Sequence, residues 1–146
     1  MKLTVICDID GTIAKREETG PGWREPFEWD RVHEDGVHQP IVKLVWMLRD
    51  AGYQIVFVSG RMEAAREGTL RWLDTHVFCE ADHGKPTLFM RADGDYRKDT
   101  VAKQEIYHRE IEGIYNVKYV LDDRDSVVAM WRGLGLTVLQ VADGKF

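Results

Sequence analysis

The chain has 146 residues, 44% hydrophobic and 31% charged, which is the size and balance of one globular domain spanning 1–146. Its net charge of −5 has the wrong sign for a protein that grips long nucleic acid through a wide basic groove, because such binding is driven by phosphate neutralisation. There is no run of about 18 apolar residues and no signal-peptide pattern, and Cys7 and Cys79 lack metal-ligand spacing, so we expect a cytoplasmic protein with free thiols and no membrane contact.

The first predicted element is a buried strand at Leu3–Cys7 that ends at two carboxylates, Asp8 and Asp10. A short β-branched run without alternation is typical of a strand covered on both faces. Ligands bind at the carboxyl ends of parallel strands, so we interpret the two acids as functional rather than as surface charge. Gly11 permits a tight turn that brings backbone N–H groups near an anion, and Thr12 adds a hydroxyl donor.

A long polar segment without periodicity follows, from 13 to 39. Loops of this length in compact domains are usually functional or mobile. Three aromatic residues lie in it among cations and acids, namely Trp23, Phe27 and Trp29. These rings either stack a nucleobase beside the site or anchor the loop to the body of the domain, and anchoring is favoured for at least two of them.

A helix opened by Pro40 leads into a second buried strand, Tyr53–Val58. This strand delivers Ser59, Gly60 and Arg61 to the same edge of the sheet as the first pair of acids. A hydroxyl after a hydrophobic strand suits phosphate binding, and the planar fork of arginine matches phosphate oxygens. The sequence therefore predicts a phosphate site at this edge.

The next stretch offers little material for a cap over the site. It reads as a helix from 62 to 76 and then an irregular region to Asp95, in which Leu88–Met90 forms either a small edge strand or a cap element. A minimal cap leaves the edge of the sheet open. An open edge suits the end of a polymer better than a small metabolite that must be engulfed.

A further helix is predicted from about Asp99, its expected N-cap, to Gly113. Val117–Leu121 is the next buried strand and ends in Asp122 and Asp123. Adjacent acids at a strand end are costly unless a cation compensates them, which predicts a metal. With a helix at 124–134 and a last strand at 136–141, the alternation predicts an open, mostly parallel α/β sheet with helices on both faces.

These motifs resemble a known family. Asp8-Ile9-Asp10-Gly11-Thr12 is similar to motif I of the haloacid dehalogenase (HAD) superfamily of aspartate-nucleophile phosphatases, and the other motifs follow in order. The stretch from 122 to 142 resembles more narrowly the 3′-phosphatase domains of phage polynucleotide kinase/phosphatases. The resemblance implies a HAD-like Rossmannoid fold with a minimal cap.

The resemblance also implies roles. Asp8 becomes the nucleophile that forms an aspartyl-phosphate, and Asp10 protonates the leaving hydroxyl and then activates water. Lys103 is the lysine of motif III, supported by Asp99 one helical turn earlier unless Asp99 is a cap alone, and Lys98 is the fallback. The expected metal is Mg²⁺, which binds carboxylates, waters and substrate oxygens. Its expected ligands are Asp8, Asp10 through its carbonyl, Asp123, and Asp122 either directly or in the second shell.

Besides the metal ligands, the expected site has two sets of residues. The catalytic set is Asp8, Asp10, Ser59, Arg61, Asp99 and Lys103. The substrate-binding set is Gly11, Thr12, Gly60, Arg61 and Lys98.

One departure from the family pattern affects the expected substrate. The polynucleotide 3′-phosphatases have an arginine before a Gly-Pro pair, whereas here Thr19 precedes Gly20-Pro21. Either Arg16 or Arg24 substitutes for it, or the substrate preference has moved.

The expected function is removal of 3′-phosphates from DNA or RNA ends, or from nucleotides. The alternatives are a 5′(3′)-deoxyribonucleotidase and a non-catalytic phosphate-binding domain. No Gly-x-x-x-x-Gly-Lys-Ser/Thr loop is present, so a separate kinase or ligase partner is expected.

Overall fold

The computed structural model of the protein describes residues 1–15, 20 and 22–146. The strands in this part of the chain, numbered in chain order, are β1 (Leu3–Cys7), β2 (Ala14–Lys15), β3 (Gly36–Val37), β4 (Gln54–Met62), β5 (Thr87–Arg91), β6 (Asn116–Asp122) and β7 (Val138–Gln140). Five of them form a parallel sheet in the order β5-β4-β1-β6-β7. The other two, β2 and β3, form a small antiparallel ribbon.

The helices are α1 (Gln39–Asp50), α2 (Arg66–His76), α3 (Glu80–His83), α4 (Asp99–Ile106) and α5 (Asp125–Gly133). Short 3₁₀ segments lie at Trp29–Glu34 and Glu63–Ala65, and a π-helical turn at Tyr107–Ile111 continues α4. Among the described residues, no helix combines the length and the apolar character needed to span a membrane.

The sheet separates two hydrophobic clusters. Val5 and Cys7 of β1 face the cluster that contains buried residues of α1 and α2, whereas Ile6 faces the cluster that contains those of α4 and α5. Side chains alternate between the faces of a strand, so a strand with a helical layer on each side must be apolar throughout. The predicted α/β class, with a parallel sheet and helices on both faces, is confirmed.

Some predicted boundaries differ from the structure. The second strand does not end at Val58 but runs on to Met62, with a register shift against β5 after Ser59, and the following helix therefore starts at Arg66 rather than at 62. The N-cap of α4 is Lys98, and Asp99 is the first helical residue. The carboxylate of Asp99 does not cap its own helix because it binds arginines from other elements.

Two segments of the chain were expected beside the carboxyl edge of the sheet, namely the long loop after β1 and the region predicted as an edge strand or a cap. The segment that follows β1 contains the β2–β3 ribbon and the first 3₁₀ helix, and it is tied down where the indole of Trp72 donates to the backbone oxygen of Asp35 (2.8 Å). The segment predicted as either edge strand or cap contains α3 and β5, and β5 is an edge strand of the main sheet. Among the described residues, these two segments therefore contain only short elements outside the main sheet.

Candidate active site

Three adjacent strands bring the predicted acids and the hydroxyl together. Asp8 follows β1, Ser59 lies near the end of β4, and Asp122 ends β6. Because β4, β1 and β6 are parallel neighbours, their carboxyl ends meet at one edge of the sheet. Lys103 reaches the same place from α4.

Lys103 is the cation of this edge. Its side chain is buried, and its Nζ lies 2.8 Å from Asp8 Oδ1 and 3.0 Å from Asp122 Oδ2. Desolvation acts to lower the pKa of Lys103, but the charges of the two carboxylates outweigh it and raise that pKa above its usual value, so the ammonium stays charged. Lys98, the competing lysine, is exposed and lines a neighbouring cleft instead.

Asp8, Asp122 and Asp123 form a buried group that we call the carboxylate cluster. Each contributes an oxygen, and these oxygens lie within 4.8 Å of one another. Desolvation and the charge of Asp122 raise the pKa of Asp8 well above its usual range, although Lys103 acts against this, and the same two causes raise the pKa of Asp123. The cluster is therefore short of positive charge.

The members of the cluster differ in how many donors they have. Asp122 accepts from Lys103, from the indole N–H of Trp131 (3.1 Å) and from the backbone N–H of Asp123 (2.9 Å). No hydrogen bond from a described residue outside the cluster reaches the carboxylate of Asp123. Carboxylate oxygens suit a hard divalent cation, and a bound cation would neutralise the negative charge that Lys103 leaves uncompensated. The residues present fit a metal, with Asp8 and Asp123 as the most available ligands.

Gly11 and Thr12 support this cluster rather than leaving their groups free for substrate. A Cβ on Gly11 would lie 2.1 Å from Asp123 Oδ2, and the backbone φ of Gly11 is +81°, so both space and conformation require glycine. Thr12 is fully buried, and its hydroxyl donates to Asp8 Oδ2 (2.9 Å). The Thr12 hydroxyl, predicted as a donor to substrate, contacts Asp8 here, and its role in substrate binding stays a prediction.

Beside this cluster lies a second group of charges, which we call the arginine–aspartate network and which consists of Asp10, Arg24, Asp35 and Arg61. Arg61 binds Asp10 with two hydrogen bonds (Nε–Oδ2 2.9 Å, Nη2–Oδ1 2.7 Å) and also reaches Asp35 Oδ2 (2.8 Å). Arg24 binds Asp35 with two more (2.7 and 2.8 Å). All but Asp10 are buried, and the Asp10 side chain is 49% exposed.

The network sets the state of Asp10. Desolvation acts to raise the pKa of Asp10, but the charge and the hydrogen bonds of Arg61 outweigh it and hold that pKa below its usual value. Asp10 lies two residues after Asp8, just beyond the end of β1, and about half of its side chain is exposed. Its carboxylate is therefore held in one orientation by a bidentate arginine.

The network shows where two arginines predicted near the phosphate lie. Arg61, expected to hold phosphate oxygens, is buried and binds Asp10, Asp35 and the hydroxyl of Thr69 (3.0 Å), and its contact with phosphate stays a prediction. Arg24 was one of two candidates to replace the missing loop arginine, but it is also buried and committed to Asp35. The other candidate, Arg16, and the Thr19 and Pro21 positions lie outside the described residues.

Asp99 and Gly60 form a third contact at this edge. A Cβ on Gly60 would lie 2.7 Å from Asp99 Oδ1, so the glycine makes room for that carboxylate. Asp99 binds the guanidiniums of Arg91 and Arg124, the latter at 3.0 Å. No hydrogen bond joins Asp99 to Lys103 among the described contacts, although its charge contributes to the raised pKa of Lys103. Asp99 thus orders two arginines, which the sequence reasoning did not anticipate.

Ser59 retains a free proton. It is fully buried, and its hydroxyl oxygen accepts the backbone N–H of Arg61 (3.1 Å). The hydroxyl donates to no residue in the described ranges, so its proton is not committed to an acceptor in that part of the chain.

The chain is similar to a defined family and to several known proteins. The family described as the polynucleotide kinase PNKP phosphatase domain matches residues 2–146. A putative bifunctional polynucleotide kinase/RNA ligase of Autographa californica nuclear polyhedrosis virus is 35% identical over 140 residues, which are 94% of this chain and 19% of that protein.

Solved structures give the same picture. Chains in two structures of the Pnkp1/Rnl/Hen1 complex, one described as an RNA repair complex, are 36% identical with TM-scores of 0.87, covering 99% and 100% of this chain and 44% and 48% of theirs. A class C acid phosphatase from Bacillus anthracis with tungstate bound is 12% identical, with a TM-score of 0.64 over 99% of this chain and 68% of its own, and shares the fold. The chain thus spans about a fifth of its curated relative and under half of the RNA repair chains.

Proposed function

The chain belongs to the polynucleotide kinase PNKP phosphatase domain family, a family of HAD-type phosphatases, and from that premise we propose that it removes 3′-phosphates from the ends of DNA or RNA. The observation that carries the proposal is the position of Asp8. Its two carboxylate oxygens are held at the open sheet edge by Lys103 (2.8 Å) and Thr12 (2.9 Å). A carboxylate oriented and partly neutralised in this way is prepared to attack phosphorus.

The proposed reaction has two steps. In the first, an Asp8 oxygen forms a bond to phosphorus, the bond from phosphorus to the 3′ oxygen breaks, and Asp10 gives the leaving oxygen a proton. In the second, Asp10 takes a proton from water, the water oxygen attacks phosphorus, and phosphate leaves with Asp8 restored as a carboxylate. The lowered pKa of Asp10, which Arg61 holds in one orientation, suits the second step, in which Asp10 takes a proton. The first step requires the protonated form of Asp10 in the substrate complex.

Other residues neutralise and position the transferring group. Lys103 offers its charge at Asp8, and Ser59 offers the proton of its hydroxyl. Stabilisation of charge on the phosphate oxygens is the main source of rate in phosphoryl transfer. In this proposal Arg61 does not touch the phosphate, and it acts by fixing Asp10.

We assign the metal as Mg²⁺, held by Asp8, Asp123 and the backbone carbonyl of Asp10, with Asp122 beside them. When bound, it neutralises the nucleophile and the phosphate oxygens so that two anions can approach each other. Asp122 already accepts three hydrogen bonds, so its part is mainly to hold Lys103 in place. The excess negative charge of the cluster supports this assignment.

We also propose that the chain works with an end-modifying partner in the cytoplasm. Its curated relative is a putative kinase/ligase, and its structural relatives lie in a complex named for RNA repair. Removal of a 3′-phosphate leaves the hydroxyl that ligation needs, so a ligase or a kinase–ligase is the partner proposed. The two free cysteines agree with a reducing compartment.

The test is a substrate panel in the presence of Mg²⁺. We compare kcat/KM for a 3′-phosphorylated oligonucleotide, its 5′-phosphorylated counterpart, and free 3′- and 5′-mononucleotides, each with and without chelator. We expect the 3′-phosphorylated substrates to react and the 5′-phosphorylated strand to react little. A clear preference for a free 5′-nucleotide would replace this function with that of a nucleotidase, and full activity in excess chelator would contradict the metal assignment.

A further inference from the structure

A cleft of about 600 Å³ opens beside the catalytic edge, and we call it the aromatic cleft. Gly60 and Arg124, which follow Ser59 and Asp123 directly in the chain, form its inner end. Its outer wall includes Phe27, Tyr96 and Lys98. The cleft therefore leads away from the carboxylate cluster, and none of the mechanism proposed above uses its outer wall.

The outer wall displays aromatic rings to solvent. Tyr96 is 79% exposed and Phe27 is 68% exposed, and Phe27 stands edge-on to the half-buried Trp29 (ring centroids 5.7 Å apart). A single exposed apolar residue needs no explanation, but these rings come from two separate loops and line one cleft. A nucleobase stacked on such a ring gains about 1–3 kcal/mol, whichever base it is.

The loop that carries Tyr96 is held rigid on both sides of it. Arg91 Nη1 donates to the backbone oxygens of Asp95 (3.2 Å) and Arg97 (2.6 Å). The guanidinium of Arg97 binds Asp95 twice (2.9 Å each), and this hydrogen bonding lowers the pKa of Asp95 to about 2. The ring is thus exposed on a preorganised loop, which reduces the ordering entropy that binding costs.

The cleft is positive in a protein that is negative overall. Four cationic side chains and two carboxylates line it, namely Arg91, Arg97, Lys98 and Arg124 with Asp95 and Asp99. Lys98 makes no ion pair with any residue that the structure describes, so its charge is available to a ligand. The net charge of the whole chain is −5. An anionic ligand is therefore attracted to the cations of the cleft rather than to the rest of the surface.

We propose that the aromatic cleft binds the nucleotide that precedes the 3′-phosphorylated terminus, with its base on the Tyr96 ring and the internucleotide phosphate on Lys98. The volume of about 600 Å³ is in the range that holds one small ligand such as a nucleotide, and a base must be unpaired for its face to stack on the ring. This inference rests on the proposed function and deepens it. It makes the enzyme prefer single-stranded ends of two or more nucleotides to 3′-mononucleotides.

The kinetic test compares three substrates, which are a 3′-phosphorylated trinucleotide, the matching 3′-mononucleotide and p-nitrophenyl phosphate. The wild-type kcat/KM should be about tenfold higher for the trinucleotide than for the mononucleotide, and Tyr96→Ala should remove about that factor through KM. Tyr96→Phe keeps the ring and should keep the preference. Lys98→Ala should weaken it and reduce the salt dependence of KM, whereas Lys85→Ala, an exposed lysine outside the cleft, should leave all three substrates unchanged.

A binding measurement separates stacking from catalysis. The probe is a 3′-phosphorylated trinucleotide with 2-aminopurine at the penultimate position, added to the inactive Asp8→Asn variant. We expect its fluorescence to be quenched by Asp8→Asn and by Asp8→Asn with Tyr96→Phe, and not by Asp8→Asn with Tyr96→Ala.

The outcomes are distinct. If the wild type hydrolyses 3′-phosphorylated substrates but Tyr96→Ala changes neither the preference nor the quenching, the cleft proposal is overturned and the proposed function stands. If the wild type hydrolyses p-nitrophenyl phosphate and no 3′-phosphorylated substrate, both are overturned.

Discussion

The carboxylate cluster sets three acids against one buried lysine, whereas the arginine–aspartate network sets two guanidiniums against two carboxylates. Both lie at the same edge of the sheet, and both consist mostly of buried side chains. In the network every charge has an opposite partner within 2.9 Å, so it is complete without a ligand. The cluster is short of positive charge, and burial together with the charge of Asp122 raises the pKa values of Asp8 and Asp123.

We interpret the cluster as the part of the site that a cation and substrate complete, and the network as the part that holds Asp10 in place. A buried charge without a partner destabilises the fold, so an incomplete cluster persists only where a ligand completes it. In a complete network the charged groups already bind one another and have no free hydrogen-bonding group for substrate. We interpret its role as holding its one exposed member, Asp10, in a fixed orientation. The following predictions change one group at a time and compare the two sites.

The largest expected effect is that of Asp8→Asn. The amide cannot act as nucleophile, so kcat should fall by about 10⁴-fold or more. The fold should survive, because the loss of the ion pair with Lys103 is offset by relief of the repulsion from Asp122. Steady-state kinetics and thermal unfolding measure the two effects, with Asp30→Asn on the exposed surface as the control. Turnover near the wild-type level would mean that another group attacks phosphorus.

The second prediction compares Asp35→Asn with Asp123→Asn, measured as the free energy of unfolding in chelator at pH 7. Asp35→Asn leaves Arg24 and Arg61 facing each other without their shared buried carboxylate, which should cost about 3–5 kcal/mol. Asp123 has a raised pKa, so its charge opposes folding at pH 7, and Asp123→Asn should leave stability equal or higher.

Added Mg²⁺ sharpens the same comparison. It should raise the Tm of the wild type and of Asp35→Asn, since a ligand that binds only the folded state stabilises it, and it should raise that of Asp123→Asn much less. Equal losses of stability in the two variants, or an equal response of their Tm values to Mg²⁺, would contradict the difference in charge balance between the cluster and the network.

The sequence was sufficient to predict which acids and which hydroxyl meet at one edge of the sheet, but not the arginine–aspartate network beside them. Asp8, Ser59 and Asp122 each follow or end a buried apolar run, and the rule that parallel strands end at one edge places them together. Asp35 lies in a segment without periodicity, 11 and 26 residues from its arginine partners. No local pattern indicates such a contact, so the carboxylates that accept from the Arg61 guanidinium could not be predicted from the sequence.

Asp99 illustrates the same limit in a helix. Its position before a helical run is typical of an N-cap, and its spacing from Lys103 suggested a pair on one helix face. In the structure the helix begins one residue earlier than an Asp99 cap would require, and the carboxylate turns to Arg91 and Arg124 from other elements. At Asp99, contacts with arginines of other elements therefore replace both the N-cap and the pairing with Lys103 that local patterns suggested.

The last prediction concerns the two lysines, and its effect on kcat should be somewhat smaller than that of removing the nucleophile. Lys103→Ala takes the one cation from the carboxylate cluster, so kcat for p-nitrophenyl phosphate should fall by about 10²–10³-fold, the loss expected for one preorganised donor. Lys98→Ala should have a much milder effect on this small substrate, because Lys98 lies in the aromatic cleft. Lys118→Ala, exposed on β6, is the matched control, and circular dichroism checks that each variant folds. If Lys98→Ala lowered kcat more than Lys103→Ala, the lysine that neutralises the phosphate would be Lys98, and the contact of Lys103 with Asp8 would be structural.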